Sequence, residues 1–150
     1  MKKGRKINII IALIIIITAI IASFTLRNDI STKEICFESS KCLNVELAQT
    51  PQERTQGLMF RAFLPSTDGM FFIFPNSDKH AFWMKNTLIS LDIIWLNSDL
   101  EIVHIEHAQP CYQDPCPSYI PPLPALYVLE TNQGFTDKNN ISIGDKLTNK

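Results

Sequence analysis

The sequence predicts a mainly β domain, a compact antiparallel sheet or small barrel with one or two short helices, behind an N-terminal hydrophobic helix. Three observations predict it. Short apolar or alternating runs recur from residue 43 to residue 147, separated by turn residues. No long helical period lies between them, which argues against parallel βαβ units. The first 24 residues hold four basic residues, no acidic residue and an isoleucine run without a polar face.

That front segment has the layout of a secretory leader: a basic head, then Ile9 to Ile17 unbroken, then Ala19 to Ala22. The apolar stretch from Ile7 to Phe24 is also long enough to span a membrane. A cleaved signal peptide and an uncleaved signal-anchor both fit. Ile20-Ile21-Ala22 is a poor cleavage site, which tilts the reading towards an anchor. The basic head places the body outside the cytoplasm, membrane-anchored or, after cleavage, periplasmic or secreted. Residues 25–34 read as a polar linker, and residues 35–150 as the β domain.

The elements follow in order. Leu43-Asn-Val-Glu-Leu-Ala48 alternates as a half-buried strand does. Thr50, Pro51 and Glu53 form a capping box with proline at the first helical position, and Gly57 ends a helix of about two turns. Gly69–Phe74 is a continuous apolar strand closed by Pro75-Asn76-Ser77, and His80–Met84 reads as another. Leu91–Trp95 and Leu100–Ile105 flank Asn97-Ser98-Asp99 as a hairpin. Residues 108–124 are irregular, with six prolines. Ala125–Glu130 is a strand, Gly134–Asn140 holds a short helix, and Ile141–Leu147 is a turn between two short β segments.

Residues 25–150 hold 10 Lys/Arg against 15 Asp/Glu, a net charge of −5. An acidic body lacks the basic surface that nucleic-acid binding requires, so no nucleic-acid partner is expected. The four cysteines, Cys36, Cys42, Cys111 and Cys116, suit disulfides in an exported chain. Three pairings are possible. The short intervals favour Cys36–Cys42 and Cys111–Cys116, because nearby partners close with little entropy. A four-cysteine zinc site would normally show tighter spacing, and no Cys-x-x-Cys redox motif is present.

No phosphate-binding glycine loop, zinc-protease helix or serine elbow occurs. His104 and His107 lie three apart on a strand and so face opposite sides, and His80 is a polar strand-start residue. The densest polar segment is Trp83-Met-Lys-Asn-Thr87, followed by Leu91-Asp92. Trp83 offers an apolar wall, Lys85 and Arg61 charge, and Asn86 and Thr87 orienting hydrogen bonds, with Asp92 able to reach Lys85 across the loop. Arg61, Trp83, Lys85, Asn86, Thr87 and Asp92 together would hold a small polar or anionic ligand, or a loop of an envelope protein. The plain alternative is a tryptophan in the core, a surface ion pair and an ordinary turn. Two other classes stay open: an unidentified hydrolytic enzyme with Asp92 as base, and copper handling through Met59, Met70 and Met84. No resident cofactor is expected.

The segments Val45-Glu-Leu-Ala48, Thr50-Pro-Gln-Glu53, Gly57-Leu-Met-Phe-Arg61, Phe82-Trp-Met-Lys-Asn-Thr-Leu88, Leu91-Asp-Ile-Ile94, Pro115-Cys-Pro-Ser-Tyr119, Tyr127-Val-Leu-Glu130 and Ile143-Gly-Asp145 closely resemble the DUF192 (UPF0127) family. The order and spacing fit over residues 43–147. The resemblance implies a compact, mainly β, often exported domain and supplies no mechanism. Gln133 and Thr136 replace commonly small residues, and Asn97–Leu100 lacks the glycine often found in that hairpin.

Overall fold

The computed structural model describes residues 15–18, 31–39 and 41–148. The chain divides into two compact units, Met1–Ile30 and Ser31–Lys150. In the first, residues 15–18 are helical, and the signal or anchor expected over residues 1–24 otherwise lies outside the described residues. Among the described residues, no helix is long and apolar enough to cross a membrane.

The second unit is a seven-stranded sheet in the order β6-β5-β8-β3-β2-β1-β9, with a two-stranded β4-β7 pair beside it. The strands are β1 (Thr32–Phe37), β2 (Cys42–Ala48), β3 (Asp68–Asp78), β4 (Phe82–Trp83), β5 (Leu91–Leu96), β6 (Ile102–Ala108), β7 (Ser118–Tyr119), β8 (Ala125–Asn132) and β9 (Leu147–Thr148). The helices are α1 (Pro51–Gln56) and α2 (Phe135–Lys138). The sheet curls into a half-barrel. A bridge between Glu101 and Lys146, with Ile102 N donating to Asp145 O at 2.8 Å, draws its two edges together.

Each strand face has its own core. Ile35, Phe37, Val45, Phe71, Ile94 and Leu129 belong to the cluster inside the curl. Met70, Phe72, Met84, Ile93, Trp95 and Val128 form an outer cluster under the loops and the β4-β7 pair. Alternation along each strand distributes the residues between the two cores. Both clusters and both disulfides lie within Ser31–Lys150, so this unit carries the whole of its own core.

Several elements form as the sequence predicts. Thr50 accepts from Glu53 N while Glu53 accepts from Thr50 N, and Gly57 closes α1 with φ 47° and ψ −138°, a region open to glycine. Cys36–Cys42 and Cys111–Cys116 are both bonded.

Others differ. The linker is shorter than expected, because β1 begins at Thr32, its three exposed polar residues making it read as linker. The predicted strand His80–Met84 shrinks to Phe82–Trp83. Of the two β segments expected over Ile141–Leu147, only β9 forms, preceded by a turn. The sheet is not wholly antiparallel: β2 and β3 run parallel, Val45 opposite Gly69, joined by the crossover that contains α1. Gly69 is needed there, since a Cβ would lie 2.7 Å from Glu130 O.

At one end of the half-barrel, α2 folds inward and Phe135 packs against Phe37, ring centroids 5.9 Å apart. Elsewhere along the curl, Lys33, Ile73 and Tyr127 are among the described residues that line a cavity.

Candidate functional site

The segment Trp83–Thr87 leaves β4 and turns sharply. Met84 is fully buried and anchors the turn, its carbonyl accepting from Thr87 N and Cys111 N. Lys85 is bridged to Cys111, so the Cys111–Cys116 loop lies alongside. That loop presents Asp114, whose carboxylate accepts from Lys85 Nζ at 3.0 Å, while the same ammonium lies 5.7 Å from the Trp83 ring centroid. Asn86 has φ 59°.

The turn after α1 meets this segment. Phe60 N donates to Asn86 O at 2.8 Å, and Phe60 itself has φ 64°. Two non-glycine residues in the left-handed region thus lock one another across the two loops. Phe60 is 63% exposed and Trp83 50% exposed. Arg61 turns back to the sheet, and both of its terminal nitrogens donate to the Glu46 carboxylate on β2. That bidentate bond holds the guanidinium pKa above its ordinary value.

The six expected residues therefore do not form one cluster. Arg61, Trp83, Lys85 and Asn86 belong to two adjoining turns. Thr87 lies in the same turn but is buried. Asp92 belongs elsewhere and does not reach Lys85. It is fully buried on the inner face of β5, where it accepts from Gly134 N, Thr136 N, Thr136 Oγ1 and His107 Nδ1. His104 packs against the Trp95 ring instead, so the two histidines do face opposite sides. Of the methionines, Met70 and Met84 fill the outer core. Among the described residues the one group with metal-ligand spacing is Glu34, Cys36 and Cys42, and its two sulfurs are joined in a disulfide.

Sequence reasoning missed Glu46, Phe60, Asp114 and Glu130. Glu130 had a readable signal: it shares strand phase with Val128, an outer-core residue, where an apolar side chain is normal. It is 5% exposed and sits between Met70 and Ile93 in the sheet, with Gly57 above its carboxyl. Burial alone pushes its pKa up to about 8.

The DUF192 profile (Uncharacterized ACR) matches residues 34–149. The chain belongs to the DUF192 family. It is 34% identical over 109 residues to a UPF0127 protein of Thermococcus sibiricus, covering 69% of this chain and 64% of that one, so it spans slightly under two thirds of that relative. It is 28% identical over 110 residues to a UPF0127 protein of Pyrococcus furiosus, covering 70% and 85%. Among solved structures it resembles a protein of unknown function from Novosphingobium aromaticivorans, with TM-score 0.74, 33% identity and coverage of 82% and 89%. It also resembles a "putative transcription regulator" of Sinorhizobium meliloti, with TM-score 0.70, 34% identity and coverage of 79% and 93%. The DUF192 match carries no activity with it.

Proposed function

We propose that this DUF192 domain is a non-enzymatic binding module of an oxidising, extracytoplasmic compartment, and that it receives a segment of a protein partner on Phe60, Trp83, Lys85 and Asn86. One observation carries this reading. Phe60 adopts a left-handed backbone, costly for an aromatic residue, and still displays its ring to solvent. Such outliers persist where the surrounding structure holds them for use. Trp83, three residues before the Asn86 that Phe60 bonds, is a second exposed aromatic, and aromatic side chains dominate the energetics of protein recognition. A free small anion fits less well, because Arg61 and Lys85 already hold Glu46 and Asp114, and an anion would have to displace a carboxylate. The two disulfides suit the compartment.

The test is selection of a displayed peptide library on the Ser31–Lys150 unit. Selected peptides should lose at least about 30-fold in affinity on Trp83→Ala or Phe60→Ala, the effect of removing a binding hot spot of roughly 2 kcal/mol. Peptides that bind both variants as well as the parent chain would refute the assignment. Phe60→Gly should abolish binding too, yet raise stability by about 1 kcal/mol in urea titrations, because relief of about 1–3 kcal/mol of strain outweighs the extra freedom of an unfolded glycine. A destabilised Phe60→Gly chain would show that the ring serves the fold instead.

A further inference from the structure

The two disulfides sit in unlike surroundings. Cys36 and Cys42 face one another in the β1-β2 ladder, and Cys36 is buried, so backbone pairing also holds them together. Cys111 and Cys116 are half-buried and close a loop whose residues 112–115 are all exposed. Among the described residues, 112–117 make no backbone hydrogen bond. The loop's entry is fixed by the Lys85–Cys111 bridge, and its exit by β7, where Ser118 pairs with Trp83. Between those points the Cys111–Cys116 bond and the Lys85–Asp114 ion pair hold it in place.

Exposure decides which bond a thiol can reach. Thiol–disulfide exchange begins with a thiolate attacking a sulfur, so accessible disulfides are the labile, regulatory ones. The Asp114 carboxylate lies 3.7 Å from Cys116 Sγ and would repel an anionic thiolate, but Lys85 offsets its charge.

We infer that Cys111–Cys116 is a redox switch for the partner-binding surface. Oxidised, it fixes Asp114 on Lys85, and the surface around Trp83 is aromatic and locally neutral. Reduced, the loop loses its closure, Asp114 leaves, and Lys85 stands uncompensated beside Trp83. In an oxidising compartment the closed state is the resting one. The reductant is a dithiol. One of its thiolates attacks a sulfur of the bond, and the displaced cysteine takes up a proton. The second thiolate then attacks the first dithiol sulfur in the mixed disulfide and releases the other cysteine, which is protonated in turn. Two electrons and two protons pass to Cys111 and Cys116, and the dithiol ends as a disulfide. The effect on recognition rests on the reading of Phe60, Trp83, Lys85 and Asn86 as a partner surface; the switch itself does not.

The test is graded reduction of the folded Ser31–Lys150 unit with dithiothreitol, followed by alkylation and mass spectrometry. Cys111 and Cys116 should become alkylated at a dithiothreitol concentration about tenfold below that needed for Cys36 and Cys42. In the alkylated protein, acetylation of Lys85 by an N-hydroxysuccinimide ester should run roughly threefold faster, the size expected for loss of an exposed ion pair, with Lys138 unchanged. Asp114→Asn should give the same gain with the bond intact, and the Cys111→Ser/Cys116→Ser double variant should give it without reductant. Earlier or simultaneous opening of Cys36–Cys42, or a Lys85 rate that stays the same in the reduced and double-variant proteins, would overturn the switch. Peptides selected on the oxidised unit should bind the double variant roughly threefold more weakly. A working switch with peptides indifferent to Trp83→Ala would remove the partner surface alone. Peptides that need Trp83 but ignore the double variant would remove its control by the disulfide.

Discussion

Replacing Glu130 with methionine is expected to stabilise the domain by about 3 kcal/mol at pH 7, and by much less at pH 4.5. Glu130 is almost wholly removed from solvent, and among the described residues its carboxyl has no hydrogen-bond partner. Burial pushes its pKa up from 4.5 to about 8, so at neutral pH the folded chain holds the proton while the unfolded chain has released it. The sign follows. The favourable balance is complete below pH about 4.5 and is lost progressively as pH rises through the folded value. Each pH unit between the two pKa values costs about 1.4 kcal/mol. Methionine keeps an unbranched, flexible shape and fits the outer core beside Met70 and Phe72. Urea titrations of parent and variant at pH 4.5, 6, 7 and 8 should therefore diverge steadily with pH. Parallel stability curves would show that Glu130 finds a partner in solution. This carboxyl is also the chain's best enzymatic feature, since buried acids with raised pKa values mark many active sites. Here Gly57 lies over it, and among the described residues it bonds to no nucleophile or base.

Local rules made α1 legible. Thr50, Pro51, Glu53 and Gly57 specify its start and stop without any tertiary help. The disulfide partners were legible for a similar reason, since short intervals leave little choice. The parallel pairing of β2 and β3 was not legible. Their crossover contains a helix of only six residues, much shorter than the usual sign of a parallel connection. The strand β1 was obscured because it does not alternate: Thr32, Lys33 and Glu34 are all exposed, and Ile35, Cys36 and Phe37 are all buried, paired with β2 and β9.

The polar site was legible in its turns and opaque in its pairing. The two turns carrying Arg61 and Lys85 have distinctive sequences, and they do adjoin. Which carboxylates complete them depends on strands far away in sequence: Glu46 on β2 and Asp114 in the disulfide loop. Asp92 seemed close to Lys85 because only a short loop separates them. Every residue of Leu91–Leu96 is buried, so β5 shows no polar alternation from which to read its phase. The register shows that Asp92 shares the inner face with Ile94 and Leu96, whereas Met84, just before Lys85, lies in the outer core.

That inner position makes Asp92→Ala the most damaging single change expected in the chain, at about 3–5 kcal/mol, the usual range for removing one partner of a buried charged network. A loss of this size is a large part of the 5–15 kcal/mol that stabilises a typical domain. Four residues are too few for α2 to hold its own geometry. Its N-cap is Gly134, with φ 80° and no side chain to accept from the first turn. Asp92 supplies the missing cap from β5, at 3.1 Å from Gly134 N and 2.9 Å from Thr136 N. Losing it leaves two amides and the Thr136 hydroxyl without their acceptor and loosens Phe135, which closes that end of the barrel. Hydrogen exchange at Phe135 and Thr136 should quicken well before the strands open. His107 separates the cap from the ion pair. Its pKa is raised by the bond to Asp92, so its contribution is present below pH about 6.5 and fades as pH rises through the higher folded value. Because the imidazole is 45% exposed, solvent screening keeps that contribution under about 1 kcal/mol. His107→Ala should thus cost little and only at low pH, whereas Asp92→Ala should cost several times more. Equal losses in the two variants would mean that the histidine, rather than the helix cap, is what Asp92 is buried to hold.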